Sequence, residues 1–414
     1  MRTVGIICEY NPFHNGHRCQ LRLARALAGE DCALVCLMSG NFVQRGEPAV
    51  FPKMVRAEAA LRCGADLVLE LPLTAALSSA EGFATGGVSL LTALGCEALC
   101  YGIESDDNNI IMSTAKANLD PAFDALLRAE LDTGCSYPAA RQRALEALGA
   151  GEGLSSPNDI LAVEYCKAIL RQQSPLRLLP IHRPDTYHAD TLDPEAPSAT
   201  AIRNSICRDE HRSSADTGHD FADKQCLSLQ ALSNEPSPDW HTAVPSELID
   251  LYKSAPVHTL EAGERAVLAV LRTLPDAAFQ VLPFGSEGLW SKFMKNCRSC
   301  AAVEEILDAT KSKRYTRSRL QRMLLCAFLS LTAADLERQA PYVRVLGFTD
   351  RGRAALRDMR ARFALLNAGE RPTAALDPED YYALETRASD LYGLFAVSGP
   401  EAPGAESDLR VRRC

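Results

Sequence analysis

His14-Asn15-Gly16-His17 sets two imidazoles three residues apart around a glycine. Residues at i and i+3 share one face of a helix. Gly16 leaves the backbone open for close approach of a ligand. The pair stands one short loop after the apolar run Thr3-Val4-Gly5-Ile6-Ile7-Cys8. It precedes a helical pattern, Arg18 to Ala28, that stops at Gly29. Strand, loop, HxGH and helix put both rings beside a helix N-terminus, where N–H groups and the helix dipole favour phosphate. The chemistry this suits is in-line attack on the α-phosphate of a nucleoside triphosphate. Negative charge then builds on the phosphate oxygens, so positioning and electrostatic stabilisation do most of the catalysis.

Two other segments could complete such a site. Ser39-Gly40-Asn41-Phe42-Val43-Gln44-Arg45-Gly46-Glu47-Pro48 follows a second apolar run, Ala33 to Met38. It would emerge at the carboxyl end of a strand, the rim where open α/β sheets bind ligands. Lys53 and Arg56, three apart at the start of the next helix, either face that site or form a solvated basic pair. Ser198-Ala199-Thr200-Ala201-Ile202-Arg203 reads as another helix start. Its hydroxyls could donate to phosphate, and Arg203 adds a fixed positive charge. Taken alone, Ser198 and Thr200 read as capping residues.

These segments need a scaffold, and the first half of the chain supplies an alternating one. Strand-like runs recur at Asp66 to Leu71, Glu97 to Gly102 and Leu176 to Ile181. Between them, Pro52 opens a helix that Gly64 closes, and Ser78 to Leu94 is helical in pattern. Residues 106–149 also read as helical. Ser156 caps a further helix, with Pro157 in its first turn, running to about Gln173. Such alternation predicts an α/β fold, a Rossmann-like parallel sheet with helices on both faces. The composition then turns polar. Beyond it Leu320, Met323, Leu324, Ala327, Phe328 and Leu331 recur at helical spacing. The expected organisation is a nucleotide-binding domain over 1–207, a polar linker or long loop over 208–241, a mainly α-helical domain over 242–398 and a flexible tail over 399–414.

A chain of 414 residues, 47% hydrophobic and 23% charged, has ample material for packed cores. The formal net charge of −9 argues against a general nucleic-acid coater, though a local basic patch can work on an acidic protein. The 15 cysteines are scattered. Cys32, Cys36, Cys96 and Cys100 lie in apolar runs and read as small buried hydrophobes. Cys297-Arg298-Ser299-Cys300 is a lone CxxC without a second pair at zinc spacing, so no metal site is expected. This usage suits a reducing cytoplasm. Glu9 interrupts the first apolar run, which does not read as a signal peptide, and no stretch reads as a membrane span. The expectation is a cytoplasmic protein without a membrane partner.

The segment Val4 to His17 closely resembles the opening of the bacterial tRNA(Met) cytidine acetate ligase family, within the nucleotidyltransferase superfamily with HIGH-type motifs. The resemblance continues through Ser39 to Ala49, Gly64 to Pro72, Ser156 to Leu161 and Ser198 to Arg203, and late in the chain through Lys313 to Thr316 and Val343 to Phe348. It implies an enzyme that uses ATP to activate acetate as acetyl-adenylate. The acetyl group would then pass to N4 of the wobble cytidine of elongator tRNA(Met), with AMP and diphosphate released. His14 and His17 would be catalytic. ATP would be held by Val4, Gly5, Ile6, Ile7, Cys8, Glu9, Tyr10, Asn11, Pro12, Phe13, His14, Asn15, Gly16 and His17. Gly102, Asn158 and Arg183 would be further contacts, beside Ser198, Thr200 and Arg203. The substrate would be ATP with Mg²⁺.

A tRNA partner needs positive surface. The run Lys311-Ser312-Lys313-Arg314-Tyr315-Thr316-Arg317-Ser318-Arg319-Leu320-Gln321-Arg322 holds no acidic residue. With Lys53 and Arg56 it supplies the candidates for RNA contact: Lys311, Lys313, Arg314, Arg317, Arg319 and Arg322, with Tyr315 stacking on a base. A solvated helix face is the competing account of that run. Two other functions fit parts of the sequence. A small-metabolite adenylyltransferase would leave the helical half unexplained. A non-catalytic nucleotide-binding RNA adaptor would leave the intact histidine pair unexplained.

Overall fold

Residues alternate between two cores along the first strands. In β1 (Thr3–Cys8), Val4 and Ile6 enter one core and Ile7 the other. In β2 (Ala33–Ser39), Leu34, Cys36 and Met38 enter the first core, and Val35 and Leu37 the second. A strand whose side chains are buried on both faces needs a layer on each. The computed structural model describes residues 2–154, 156–182, 198–216 and 239–414.

The sheet contains those two strands and β3 (Leu67–Leu71), β4 (Ala98–Ile103), β5 (Arg177–His182), β6 (Val343–Phe348), β7 (Leu365–Asn367) and β8 (Arg412–Arg413). Its order is β8-β6-β3-β2-β1-β4-β5, with β7 also paired to β6. The five strands from the first half of the chain are mutually parallel. Their order 3-2-1-4-5 reverses at β1, the switch point beside which such sheets bind ligands. The helices α1 (Asn15–Ala28) and α2 (Lys53–Arg62) contribute Leu21, Ala24, Ala57 and Leu61 to the first core. The helices α3 (Ala80–Ala93) and α4 (Pro157–Gln172) contribute Val88, Leu91, Val163 and Cys166 to the second. Ser156 caps α4 by accepting from Asp159 N, with Pro157 in the first turn, as its sequence predicts.

The second half departs from expectation in two places. It is not helical throughout: β6 pairs antiparallel with β3, so residues far along the chain extend the first half's sheet. Nor is 399–414 a free tail. Glu406 is wholly buried, and Arg412 and Arg413 pair with β6. The expected linker is helical at its start, since α5 (Ala199–Asp216) runs on past residue 207, and 217–238 lie outside the described residues. The helical packing expected late in the chain is present. Leu320, Met323, Leu324 and Phe328 of α6 (Arg317–Phe328) form a third core with Phe293, Leu307 and Phe42.

Glu406 belongs to a buried cluster of charges. Lys53 Nζ donates to Glu70 at 2.9 Å and to Glu406 at 2.7 Å. Arg344 Nε donates to Glu385 at 3.0 Å and lies 3.2 Å from Glu406. Tyr342 and Ser389 add hydroxyl donors to Glu385 and Glu406. Removing one partner of a buried pair leaves an uncompensated charge. Glu406→Ala is therefore expected to cost about 3–5 kcal/mol in chemical denaturation, although it lies eight residues from the chain end in sequence.

Three carboxylates face two cations here. Burial, offset in part by Arg344, pushes the Glu385 carboxyl up to about 7 from its ordinary 4.5. The fold therefore binds a proton there that the unfolded chain has already released between those values. Stability from this group is full below about pH 4.5 and is lost as pH rises through about 7. Melting curves of wild type and Glu385→Gln across that window should diverge, the wild type losing stability relative to the variant. Parallel curves would remove this account.

Candidate active site

His14 is the N-cap of α1, with extended backbone, and its Nδ1 accepts from Gly16 N at 3.1 Å. His17, three residues on, accepts at Nδ1 from His14 N at 3.3 Å. The two rings thus form a capping box in place of the usual hydroxyl and carboxylate. They stack with centroids 3.7 Å apart. An Nδ1 that accepts from a backbone N–H carries no hydrogen, so the ring hydrogen of each imidazole sits on Nε2. The geometry presets two Nε2–H donors beside a helix N-terminus, at the carboxyl end of β1.

The loop between β1 and α1 is held from several sides. Tyr10 adopts φ +48°, a conformation that costs free energy outside glycine. Its hydroxyl lies 3.3 Å from Cys36 Sγ in β2. Asn11 Oδ1 accepts from Val50 N at 2.8 Å, and Phe13 O accepts from the Tyr252 hydroxyl at 3.0 Å. Asn15 anchors the start of α1: its N donates to Ala243 O and its Nδ2 to Thr242 O, both at 3.0 Å. Val4, Ile6, Ile7 and Phe13 are buried in the cores. Their contribution to a ligand site is the course of the backbone.

The other two segments meet this loop. Gln44 N donates to Glu9 Oε1 at 2.6 Å. Arg203 Nη1 donates to Asn11 O at 2.8 Å, its Nη2 to Thr200 Oγ1 at 3.2 Å, and it faces Glu47 at 3.8 Å. Ser198 Oγ accepts from Ala201 N at 3.1 Å, which is the capping role. The HxGH start, the loop after β2 and the first turn of α5 are thus one assembly. Burial pushes the Glu9 carboxyl up from its ordinary value, while the Gln44 N–H and the Arg45 and Arg203 charges oppose the shift. Gly102 lies in β4, the neighbour of β1 at the switch point. Asn158, in the first turn of α4, donates to Glu104 just beyond β4.

Comparison with known proteins decides the family. The family described as HIGH Nucleotidyl Transferase matches residues 1–404. The chain is 36% identical over 383 residues to the tRNA(Met) cytidine acetate ligase of Clostridium novyi (strain NT), covering 88% of this chain and 89% of the relative. It is 34% identical over 417 residues to the enzyme of that name from Clostridium perfringens (strain SM101 / Type A), covering 96% of each. The chain belongs to the tRNA(Met) cytidine acetate ligase family of HIGH nucleotidyl transferases. Two crystal structures of Thermotoga maritima TmcAL, each 30% identical, cover all of both chains. The form bound with alpha-thio ATP gives a TM-score of 0.80 and the apo form 0.81. The chain is therefore an enzyme with the family's nucleotidyltransferase fold.

Against this family framework, several expected contacts change role. Lys53 and Arg56 are not available to RNA. Lys53 is 3% exposed within the buried charge cluster. Arg56 is wholly buried. It donates to Glu9 O at 2.6 Å, Ser39 O at 3.1 Å, Phe51 O at 2.9 Å and also to Gly40 O. The distal basic run is largely spent within the protein. Arg314 pairs with Glu287 at 2.9 Å, and Tyr315 donates to the same carboxylate. Arg317 pairs with Glu304 and, at 2.9 Å, Asp308. Arg319 donates to Phe284 O and lies over the Tyr315 ring. Arg322 is 7% exposed and donates to Gln44 O at 3.1 Å. Lys311 and Lys313 are exposed. Arg183 lies outside the described residues.

Asp159 is a member of the site that sequence reading passed over. It is wholly buried and accepts from Glu104 N at 2.9 Å, Ser105 N at 3.2 Å and Ser105 Oγ at 2.8 Å, fixing the loop after β4. The signal was its place three residues after the Ser156 cap. Gly46 is another. Its φ is +82°, and a Cβ there would lie 2.3 Å from Arg322 N, so the loop after β2 packs directly on α6. Cys297 of the CxxC is buried in the helical core, where burial pushes its thiol up to about 12. Among the described residues no group of His, Cys, Asp and Glu is placed to hold a metal, and no helix is long and apolar enough to cross a membrane.

Capping and chemistry can be separated at His14. His14→Ala should cost at least about 1 kcal/mol through the lost cap and should abolish turnover. His14→Asn restores a capping acceptor, so denaturation should return towards wild type while turnover does not. Recovery of both would make His14 a cap and nothing more.

Proposed function

We propose that this enzyme activates acetate with ATP and transfers the acetyl group to N4 of the wobble cytidine of elongator tRNA(Met). The observation that carries the reading is the preset pair of Nε2–H donors at the N-terminus of α1, with Arg203 fixed against the same loop. Such a constellation suits charge building on an α-phosphate.

In the first step an acetate oxygen attacks the α-phosphorus, the bond to the bridging oxygen breaks and diphosphate leaves. Acetate is already anionic, so this step needs no general base. The barrier lies in bringing an anion to a polyanion, which N–H donors and a fixed guanidinium reduce. Mg²⁺ enters with the triphosphate in this reading. In the second step the cytidine N4 attacks the acetyl carbonyl carbon. The carbon–oxygen bond to the phosphate breaks, AMP leaves and N4 loses a proton. An anticodon loop offers its base unpaired, as sequence-directed RNA recognition requires.

Purified protein incubated with ATP, labelled acetate and tRNA(Met) should place label in the RNA and release AMP and diphosphate in equal amounts. A tRNA without cytidine at the wobble position should take none. Turnover on a phosphate ester with no label in RNA would support a metabolite adenylyltransferase instead. His17→Ala should lower acetate-dependent ATP–diphosphate exchange by about 10²–10³-fold and leave tRNA affinity near wild type. An equal loss of both would place the histidine in folding.

A further inference from the structure

We infer that the tRNA body is held by an arginine groove at the opposite rim of the sheet from the histidine pair. This rests on the acceptor proposed above. The groove has a volume of about 590 Å³ and lies between the helix α7 (Asp350–Arg360) and the C-terminal strand β8. Arg353, Arg357 and Arg360 line one side, Arg410 and Arg413 the other, and Phe348 closes the floor. All five arginines are exposed, and among the described lining residues none is acidic.

The charges are weakly answered from within the protein. Arg353 reaches Asp350, and Arg357 reaches Asp358, only at 3.9 Å and in the open. Arg360 donates to the neutral Asn367 at 2.9 Å, and Arg410 to the carbonyl oxygens of Ser407 and Leu409. Arg353 and Arg413 both lie over the Phe348 ring, at 5.7 and 5.8 Å. Five like charges converging on one groove of a chain with net charge −9 repel one another until a polyanion enters. Arginine forks match phosphate oxygens in pairs. Spacing of four and three residues along α7 sets three forks in a row over roughly 10 Å.

The expected RNA surface offers no such row, because Arg314, Arg317, Arg319 and Arg322 are engaged within the protein. The groove also carries a geometric consequence. Phe348 pairs with Leu67, at the amino-terminal start of β3, whereas the histidines follow the carboxyl end of β1. A six-residue strand spans roughly 20 Å, so an RNA must reach from rim to rim to use both. A whole tRNA is long enough to do this.

The test is RNA binding by the full chain carrying Arg357→Ala and Arg413→Ala together, measured across salt concentration. Full-length tRNA(Met) should bind about tenfold or more weakly, with the slope of log affinity against log salt smaller by about two. Acetate-dependent ATP–diphosphate exchange should stay at wild-type values. Unchanged affinity and slope for full-length tRNA would overturn the inference. So would an equal loss from Arg317→Ala, which would make the effect one of bulk charge. If wild type neither binds nor acetylates tRNA, the proposed acceptor fails and the groove's role fails with it. A wild type that acetylates tRNA beside a double variant with unchanged binding removes the groove alone.

Discussion

Two cations buried in the first turn of α2 set the terms for the rest of the molecule. A guanidinium or ammonium taken out of water costs several kcal/mol unless every donor finds an acceptor. Arg56 meets this demand with the carbonyl oxygens of Glu9, Ser39, Gly40 and Phe51. Those atoms belong to the exits of β1 and β2 and to the loop that leads into α2. The carbonyls cannot drift apart without exposing an unsatisfied charge, so the two strand exits hold a fixed relation. Tyr10, at φ +48°, sits next to one of them. Lys53 makes the matching demand three residues earlier, and Glu70 and Glu406 meet it. Glu406, close to the end of the sequence, thereby holds the helix that shapes the rim carrying the histidine pair.

The parts of the site legible in the sequence are those whose contacts are local. His14 and His17 bond to backbone atoms within three residues, so their spacing carries their geometry. The Ser156 cap and the alternating strands are local in the same sense. Lys53 and Arg56 were misread because spacing says that two residues share a face and not what the face meets. Glu406 is 353 residues from Lys53. The partners of the basic run at 311–322 were hidden in the same way. Its density was visible, but the carboxylates that neutralise it lie outside the run, at Glu287, Glu304 and Asp308. The strand β6 escaped notice because it carries Arg344, and a charge inside a short apolar run argues against burial until its partners are known. Those partners, Glu385 and Glu406, come from later in the chain.

Arg56 and Arg203 show how one residue type serves two ends at the same rim. The donors of Arg56 are consumed by backbone carbonyls, so it can shape the site and offers nothing to a ligand. Arg203 is 18% exposed at its side chain and makes two hydrogen bonds among the described residues, which leave other donors of its fork uncommitted there. Its acidic neighbour Glu47 stands at 3.8 Å, too far for a tight bidentate pair. Burial also pushes the Glu9 carboxyl beside Arg203 up from its ordinary value. A phosphate entering here would meet a guanidinium already oriented by Asn11 and Thr200, in surroundings where screening is weaker than in water. The side chain that organises the rim and the side chain free to act there are therefore distinguished by how completely the backbone has claimed their donors.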